Sequence, residues 1–243
     1  MNNTVLKINR VTKIYDSKIK IGEVTFSAER GECIALCGGN GAGKSTIIKM
    51  ITNQISPTSG DIWINGEAVN RNNNMFKKHF SYVPEDVSLP KNLTAREVLG
   101  FFAELRGVPD IKAKDVCDRV GLLKYANKKV GEYSMGMRQR LVIAQSLLSN
   151  TPLVIFDEPS NGLDAYWSIQ LKEIIKELIR EGTTILLTSH ILSDVEELAT
   201  KIVVMNDGQV LEFDTVENLY KKYNYPRNFE ELFLTFIPRI DFI

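Results

Sequence analysis

Residues 33–50 read CIALCGGNGAGKSTIIKM. The first five form an uninterrupted apolar run, the pattern of a strand buried on both faces of a parallel sheet. They lead directly into Gly38, Gly39, Asn40, Gly41, Ala42, Gly43, Lys44, Ser45 and Thr46, within which the spacing G-x-x-x-x-G-K-[ST] is complete. From Lys44 onward KSTIIKMITNQ reads as a helix. In that strand–loop–helix order each residue type has a use. Glycines let consecutive backbone N–H groups curl around phosphate oxygens, and the helix start adds the positive end of its dipole. Lys44 offers a charge to the outer phosphates, and Ser45 a hydroxyl to a Mg2+ ion.

On the N-terminal side, VLKI (5–8) and VTFSA (24–28) predict short strands before the turn at Gly31 and Glu32. After the first helix, PTSG (57–60) is a turn, and DIWIN followed by Gly66 ends in an Asn-Gly hairpin signal. HFSYVPE (79–85) predicts another short strand, stopped by Pro84. From about residue 88 the pattern becomes helical. Thr94 and Glu97 form a capping box ahead of VLGFF, and Met137, Leu141, Ala144 and Leu148 line one face of a later helix. Strand signals return in LVIFD (153–157), TTILLTS (183–189), IVVM (202–205) and, after an Asn-Asp-Gly turn, QVLEF. Between the first two, Leu171, Ile174, Ile175, Leu178 and Ile179 make the apolar stripe of a core helix. The expected architecture is a single α/β domain over 1–243 with a mostly parallel core sheet and an N-terminal antiparallel β region. Its core is expected from 1–86 and 151–225, an inserted helical subdomain from 87–150, and a C-terminal tail from 226–243.

The chain has 243 residues, 44% of them hydrophobic and 25% charged, with Lys plus Arg and Asp plus Glu both at 30. A zero net charge argues against nucleic acid as a partner, which calls for a basic face. The start, MNNTVLKINR, has no apolar run, so no secretory signal is expected. No apolar stretch approaches the ~20 residues of a membrane-spanning helix; work at a membrane would need another chain to supply the span. Three cysteines, Cys33, Cys37 and Cys117, suit reduced thiols, and Cys33 and Cys37, on one face of a strand, read as small core residues.

Three further stretches carry chemistry. LVIFDEPSNGLD (153–164) is an apolar strand ending in adjacent carboxylates. Of Asp157 and Glu158, one can hold Mg2+ or its water shell while the other polarises an attacking water. TSH (188–190) ends another buried strand, from which His190 could reach a terminal phosphate. YSMGMRQRL (133–141) places Ser134 at a helix start, followed by Gly136 and the basic pair Arg138 and Arg140, the composition of a second anion-binding helix start.

These motifs, in this order and over nearly the whole chain, resemble the ATP-binding cassette (ABC) ATPases, a P-loop class. YSMGMRQRL is similar to that family's signature, usually written LSGGQ, with Tyr133, Met135 and Met137 in place of Leu, Gly and Gln. The resemblance implies an ATPase that binds ATP and Mg2+ and docks head to tail with a second ABC subunit, identical or different. Ser134 and Gly136 of one chain would then close over ATP held by the other's P-loop, which accounts for two phosphate cradles in one chain. It also implies that Tyr15 stacks on adenine and that Asp164 contacts the opposite subunit. Glu85 stands where most cassettes have Gln, beside Mg2+ and the attacking water. The departures, and NFEELFL (228–234), resemble the branch that pairs with separate small export permeases for drugs, antibiotics, peptides, lipids or ions.

Such a chain would sit in the cytoplasm, peripheral on the inner face of the cell membrane. Within 86–102, the positions Val87, Leu89 and Leu99 are expected to lie near a permease helix. The alternative is a soluble ABC ATPase of DNA repair or translation. Repair types place a coiled coil between P-loop and signature, for which there is no room here, and translation types carry two cassettes.

Overall fold

The computed structural model describes residues 3–15, 18–86, 88–224 and 226–236. In chain order, β1 (Thr4–Tyr15) and β2 (Lys18–Glu29) are followed by β3 (Cys33–Cys37), α1 (Lys44–Ile51), β4 (Ser59–Ile64), β5 (Glu67–Ala68) and β6 (Phe80–Val83). Then come α2 (Ala95–Arg106), α3 (Asp110–Arg119) and α4 (Met135–Ser146). The second half contains β7 (Leu153–Asp157), α5 (Ala165–Arg180), β8 (Thr184–Thr188), α6 (Leu192–Leu198), β9 (Lys201–Asn206), β10 (Gln209–Thr215), α7 (Val216–Lys222) and α8 (Phe229–Phe236).

Two sheets result. One is antiparallel, in the order β2-β1-β4-β5. The other runs β10-β9-β3-β8-β7-β6, in which every pairing except β9–β10 is parallel. Alternation along β3 divides the core. Ile34 and Leu36 face α1 and the antiparallel sheet, whereas Cys33 joins the layer holding α2–α5, and Ala35 and Cys37 join α6 and α8. Cys33 and Cys37 are therefore core residues on one face, and burial pushes both thiols up to about 12.

The parallel sheet positions the chemistry. Because β3, β6, β7 and β8 run the same way, the segments after each strand emerge along one edge. The glycine loop after β3, Glu85 after β6, Glu158 after β7 and His190 after β8 thus become neighbours although more than a hundred residues separate the first from the last.

Two expectations need correction. VLKI and VTFSA are parts of two paired 12-residue strands; Val11 and Ile21 beyond them are also buried, but register shifts in the pairing interrupt the alternation that would mark the full lengths. The first helix does not reach Gln54. Thr52 caps it, and Asn53 takes φ +58°, the left-handed conformation that Asn tolerates better than most residues.

The capping box at α2 forms as the spacing requires. Glu97 N–H donates to Thr94 Oγ1 at 3.2 Å, and Glu97 Oε2 accepts from Thr94 N–H at 2.7 Å and from its hydroxyl at 2.8 Å. Gly107 closes the same helix at φ +65°. Thr94→Ala is expected to lower stability by about 1 kcal/mol, the usual cost of a lost N-cap. Urea unfolding measures this; an unchanged midpoint would show that packing of Val98 and Leu99 alone sets the helix start.

Candidate active site

The glycine loop is shaped by what surrounds it. Gly43 has φ +109°, and a Cβ there would lie 2.3 Å from Cδ1 of buried Ile21. A Cβ on Gly38 would lie 2.3 Å from the Met205 carbonyl oxygen and 2.8 Å from Ala42 Cβ. The turn between β9 and β10 supports the loop: Gly208 N–H donates to Ala42 O at 3.0 Å, and Gly22 N–H donates to Gly208 O at 2.7 Å. Lys44 Nζ donates to the carbonyls of Gly38 and Gly39 at 2.8 and 3.2 Å, which holds the ammonium across the loop.

Opposite the loop stand the carboxylates. Asp157, the last residue of β7, is 6% exposed. Its Oδ1 accepts from Thr188 Oγ1 at 2.7 Å and its Oδ2 from the Tyr82 hydroxyl at 3.3 Å. Thr188 Oγ1 also accepts from Glu158 N–H at 2.9 Å, so one hydroxyl at the end of β8 fixes both acidic residues. Glu158 takes φ +48°, an uncommon conformation for a residue with a side chain, and this turns its carboxylate out of the strand direction. Its Oε2 accepts from the backbone N–H of His190 at 3.1 Å and lies 2.7 Å from His190 Nδ1, with the ring nitrogen as donor.

Asn40–Thr46, Glu85, Asp157 and Glu158 line one open cavity, and a neighbouring hollow adds Gly38, Gly39, Asn161, His190 and Phe233. Burial raises the Asp157 carboxyl above the ordinary range and Glu158 adds to the shift, against the Thr188 and Tyr82 hydrogen bonds and Lys44. Glu85 is raised by burial first, then by Asp157, Glu158 and Asp86, with Lys44 opposing. Among the described residues no three His, Cys, Asp or Glu side chains form a metal cage. The donors at hand, the Ser45 hydroxyl with the Asp157 and Glu85 carboxylates, are oxygen ligands of the kind Mg2+ takes alongside phosphates and waters.

Ser134, Gly136 and Asp164 line neither hollow, and neither does Tyr15, exposed at the end of β1. Ser134 caps α4, its Oγ accepting from Met137 N–H at 3.2 Å. A Cβ on Gly136 would lie 2.6 Å from the Gly162 carbonyl oxygen, so α4 begins in close contact with the loop after β7. Gln139, 2% exposed, donates from Nε2 to the Pro159 carbonyl at 3.2 Å. Asp164 caps α5, accepting from Trp167 N–H at 2.9 Å.

Sequence reading missed Thr188, Tyr82 and Phe233. Thr188 opens TSH and Tyr82 lies within HFSYVPE, but neither stretch marks them as partners of Asp157; only their places on parallel strands beside β7 bring them there. Phe233 arrives from the C-terminal helix by packing alone.

A glycine loop at the tip of β3 facing two carboxylates at the tip of β7, with a separate signature helix, defines a P-loop ATPase of the cassette type. Residues 21–161 match the family model described as ABC transporter, and the chain belongs to that family. It is 37% identical to the lantibiotic transport ATP-binding protein SrtF of Streptococcus pyogenes over 94% of this chain and 96% of that one. It is likewise 37% identical to the bacitracin transport ATP-binding protein BcrA of Bacillus licheniformis, over 91% of this chain and 74% of that one. A solved ATP-binding subunit of an ABC transporter superposes with TM-score 0.89 at 30% identity, covering 96% of this chain and 99% of that one. A dimeric ATP-binding cassette bound to ADP and phosphate shares the fold at TM-score 0.80 and 24% identity, covering 87% of this chain and 98% of that one.

The raised Asp157 carboxyl sets the sign of a stability effect. A carboxylate whose folded pKa lies above its unfolded one stabilises fully below the unfolded value, and that contribution is lost as pH rises through the folded value. At pH 7 the ionised side chain therefore opposes folding. Asp157→Asn is expected to raise the nucleotide-free melting midpoint at pH 7, by less as pH falls into the carboxylate range, while ATP hydrolysis is lost. A variant that melts below the parent at pH 7 would show that the Tyr82 and Thr188 hydrogen bonds outweigh desolvation.

Proposed function

We infer that this chain binds and hydrolyses Mg-ATP as the nucleotide-binding subunit of an ABC exporter, driving a separate integral membrane permease. The observation that carries this is the division of the site. The P-loop, Asp157, Glu158 and His190 are assembled at one sheet edge, while Ser134 and Gly136 lie outside that cavity on their own helix start. A second cassette docked head to tail would bring its Ser134 and Gly136 over this chain's ATP, with Asp164 at the contact. Lys44 and the loop N–H groups hold the phosphates, Ser45 and Asp157 hold Mg2+ with Glu85 beside them, and Tyr15 stacks on adenine. Glu158 accepts a proton from the attacking water. His190, donating twice to Glu158 Oε2, keeps that carboxylate aimed at the mouth of the loop.

No helix among the described residues is long and apolar enough to cross a membrane; on this reading a separate permease supplies the span, with this chain peripheral on the cytoplasmic face. The names of the lantibiotic and bacitracin relatives support antibiotic-type cargo. They also weigh against the soluble repair or translation reading.

The segment after Glu85 offers the docking place. An apolar hollow there is lined by Tyr82, Leu89, Leu93, Phe101, Phe102 and Gln145, and Phe101 is 59% exposed. This revises the contact positions expected from sequence. Leu99 is 1% exposed and packs inward, and Val87 lies outside the described residues. Single cysteines at Leu89 and Phe101 are expected to cross-link to a co-expressed permease with a yield that changes on adding ATP; Leu99→Cys is expected to stay unlabelled. Adducts at Leu99 with none at Phe101 would put the permease elsewhere.

Glu158→Gln is expected to retain ATP and, with hydrolysis blocked, to run as a dimer on size exclusion only when Mg-ATP is present. Adding Lys44→Ala should remove that dimer, since loss of one charge-assisted hydrogen bond weakens phosphate binding by roughly 10- to 150-fold. A Glu158→Gln protein that stays monomeric with ATP bound would sink the shared-site model.

A further inference from the structure

Three segments meet around Trp167. Arg140, on α4 and six residues past Ser134, places its guanidinium carbon 4.1 Å from the centre of the Trp167 ring, inside the ~6 Å reach of a cation–π contact. Arg140 Nη1 donates to the Val120 carbonyl at 3.0 Å just past α3, while its Nε is buried and makes no hydrogen bond. The ring therefore covers a cation that hydrogen bonding satisfies only in part. On the other side, Gly121 leaves the space the indole fills. A Cβ there would lie 2.4 Å from Cη2 and Cζ2 of Trp167, and φ at Gly121 is +65°.

Trp167 belongs to the first turn of α5, and its own N–H donates to Asp164 Oδ1. One residue is thus bonded through its backbone to Asp164 and through its ring to the helix that begins at Ser134 and Gly136. Those are the groups that, on the reading above, face the neighbouring cassette. The other ties between this helix and the loop after β7, at Gly136 with Gly162 and at Gln139 with Pro159, lie nearer its start. The contact at Trp167, made by the residue next to Gln139, ties the helix instead to α5 and the end of α3, and so bears on the direction in which the Ser134 end points.

We propose that Trp167 is a positioning residue that holds the Ser134–Gly136 turn and Asp164 at the spacing needed to close over the partner's nucleotide. It touches no reacting atom. Its loss should leave each chain's own P-loop able to bind ATP and should act on the closed pair. The inference rests on the head-to-tail reading.

The test compares Trp167→Phe with Trp167→Leu in the full-length chain. Phe keeps a π face for Arg140; Leu fills space without one. With Glu158 intact, Trp167→Leu is expected to lower kcat roughly 2- to 30-fold, the factor a single cation–π contact carries, with ATP affinity of the monomer unchanged. Trp167→Phe should recover most of the rate. In the Glu158→Gln background, Trp167→Leu should need more Mg-ATP to dimerise than Trp167→Phe. Phe and Leu behaving alike, whether both active or both impaired, overturns the role of Trp167. A weakened monomer affinity for ATP in Trp167→Leu also overturns it, because the defect would then lie in the chain's own P-loop. A Glu158→Gln parent that never dimerises overturns the head-to-tail reading and this inference with it.

Discussion

Strand β3 is paired in parallel on both sides, with β8 and β9, and its five side chains are at most 1% exposed. Its backbone N–H and C=O groups are taken up by those neighbours, with those of Cys33 bonded to Thr200 just ahead of β9, and apolar layers cover both faces. The first backbone groups without strand partners are those of the loop that follows. A rigid, fully buried strand thus delivers a loop whose N–H groups remain available for an anion. The same parallel arrangement carries Glu85, Asp157, Glu158 and His190 to that edge. No residue between the strands needs to know about the chemistry, provided that strand order and direction are kept.

The edge is costly to the empty protein. Three acidic side chains, Glu85, Asp157 and Glu158, share the cavity wall with Lys44. Burial and mutual repulsion raise two of them above the ordinary carboxyl range. A divalent cation held there would offset that balance, since the repelling carboxylates would then face a positive ion. Thr188 and the turn at Gly208 keep the carboxylates and the loop in place without a ligand to hold them. The site is built in advance at the expense of local stability, as electrostatic preorganisation requires.

Much of this was legible in the sequence wherever local spacing has one mechanical meaning. CIALC into GGNGAGKST and LVIFD into Glu158 predicted the elements found there, and Thr94 with Glu97 predicted both the element and its capping contact. The helical segment and the return of strands at Leu153 were legible as changes of period. Contacts made across the sheet were not. Thr188 and Tyr82 meet Asp157 only through parallel register, which a single stretch of sequence does not contain. Leu99 looked like an available apolar residue, yet it points into the core while Phe101, two residues on, points out. Helical phase decided between them, and a short apolar run such as VLGFF leaves that phase open. The stack of Arg140 on Trp167 links positions with no pattern between them.

The hydrogen bond from Gln139 to the Pro159 carbonyl joins two ends of the molecule's work. Pro159 follows Glu158 directly, while Gln139 sits one turn into the helix whose start is offered to a neighbouring cassette. In a head-to-tail pair, the carboxylate proposed to take the proton in one pocket and the cap reaching the other would thus be joined by one side-chain hydrogen bond. If two chains pair in this way, occupancy of one pocket would bear on the other through this link, and thermodynamic linkage would make that influence equal in both directions at the level of binding. On that pairing, two ATP molecules would not bind as independent events.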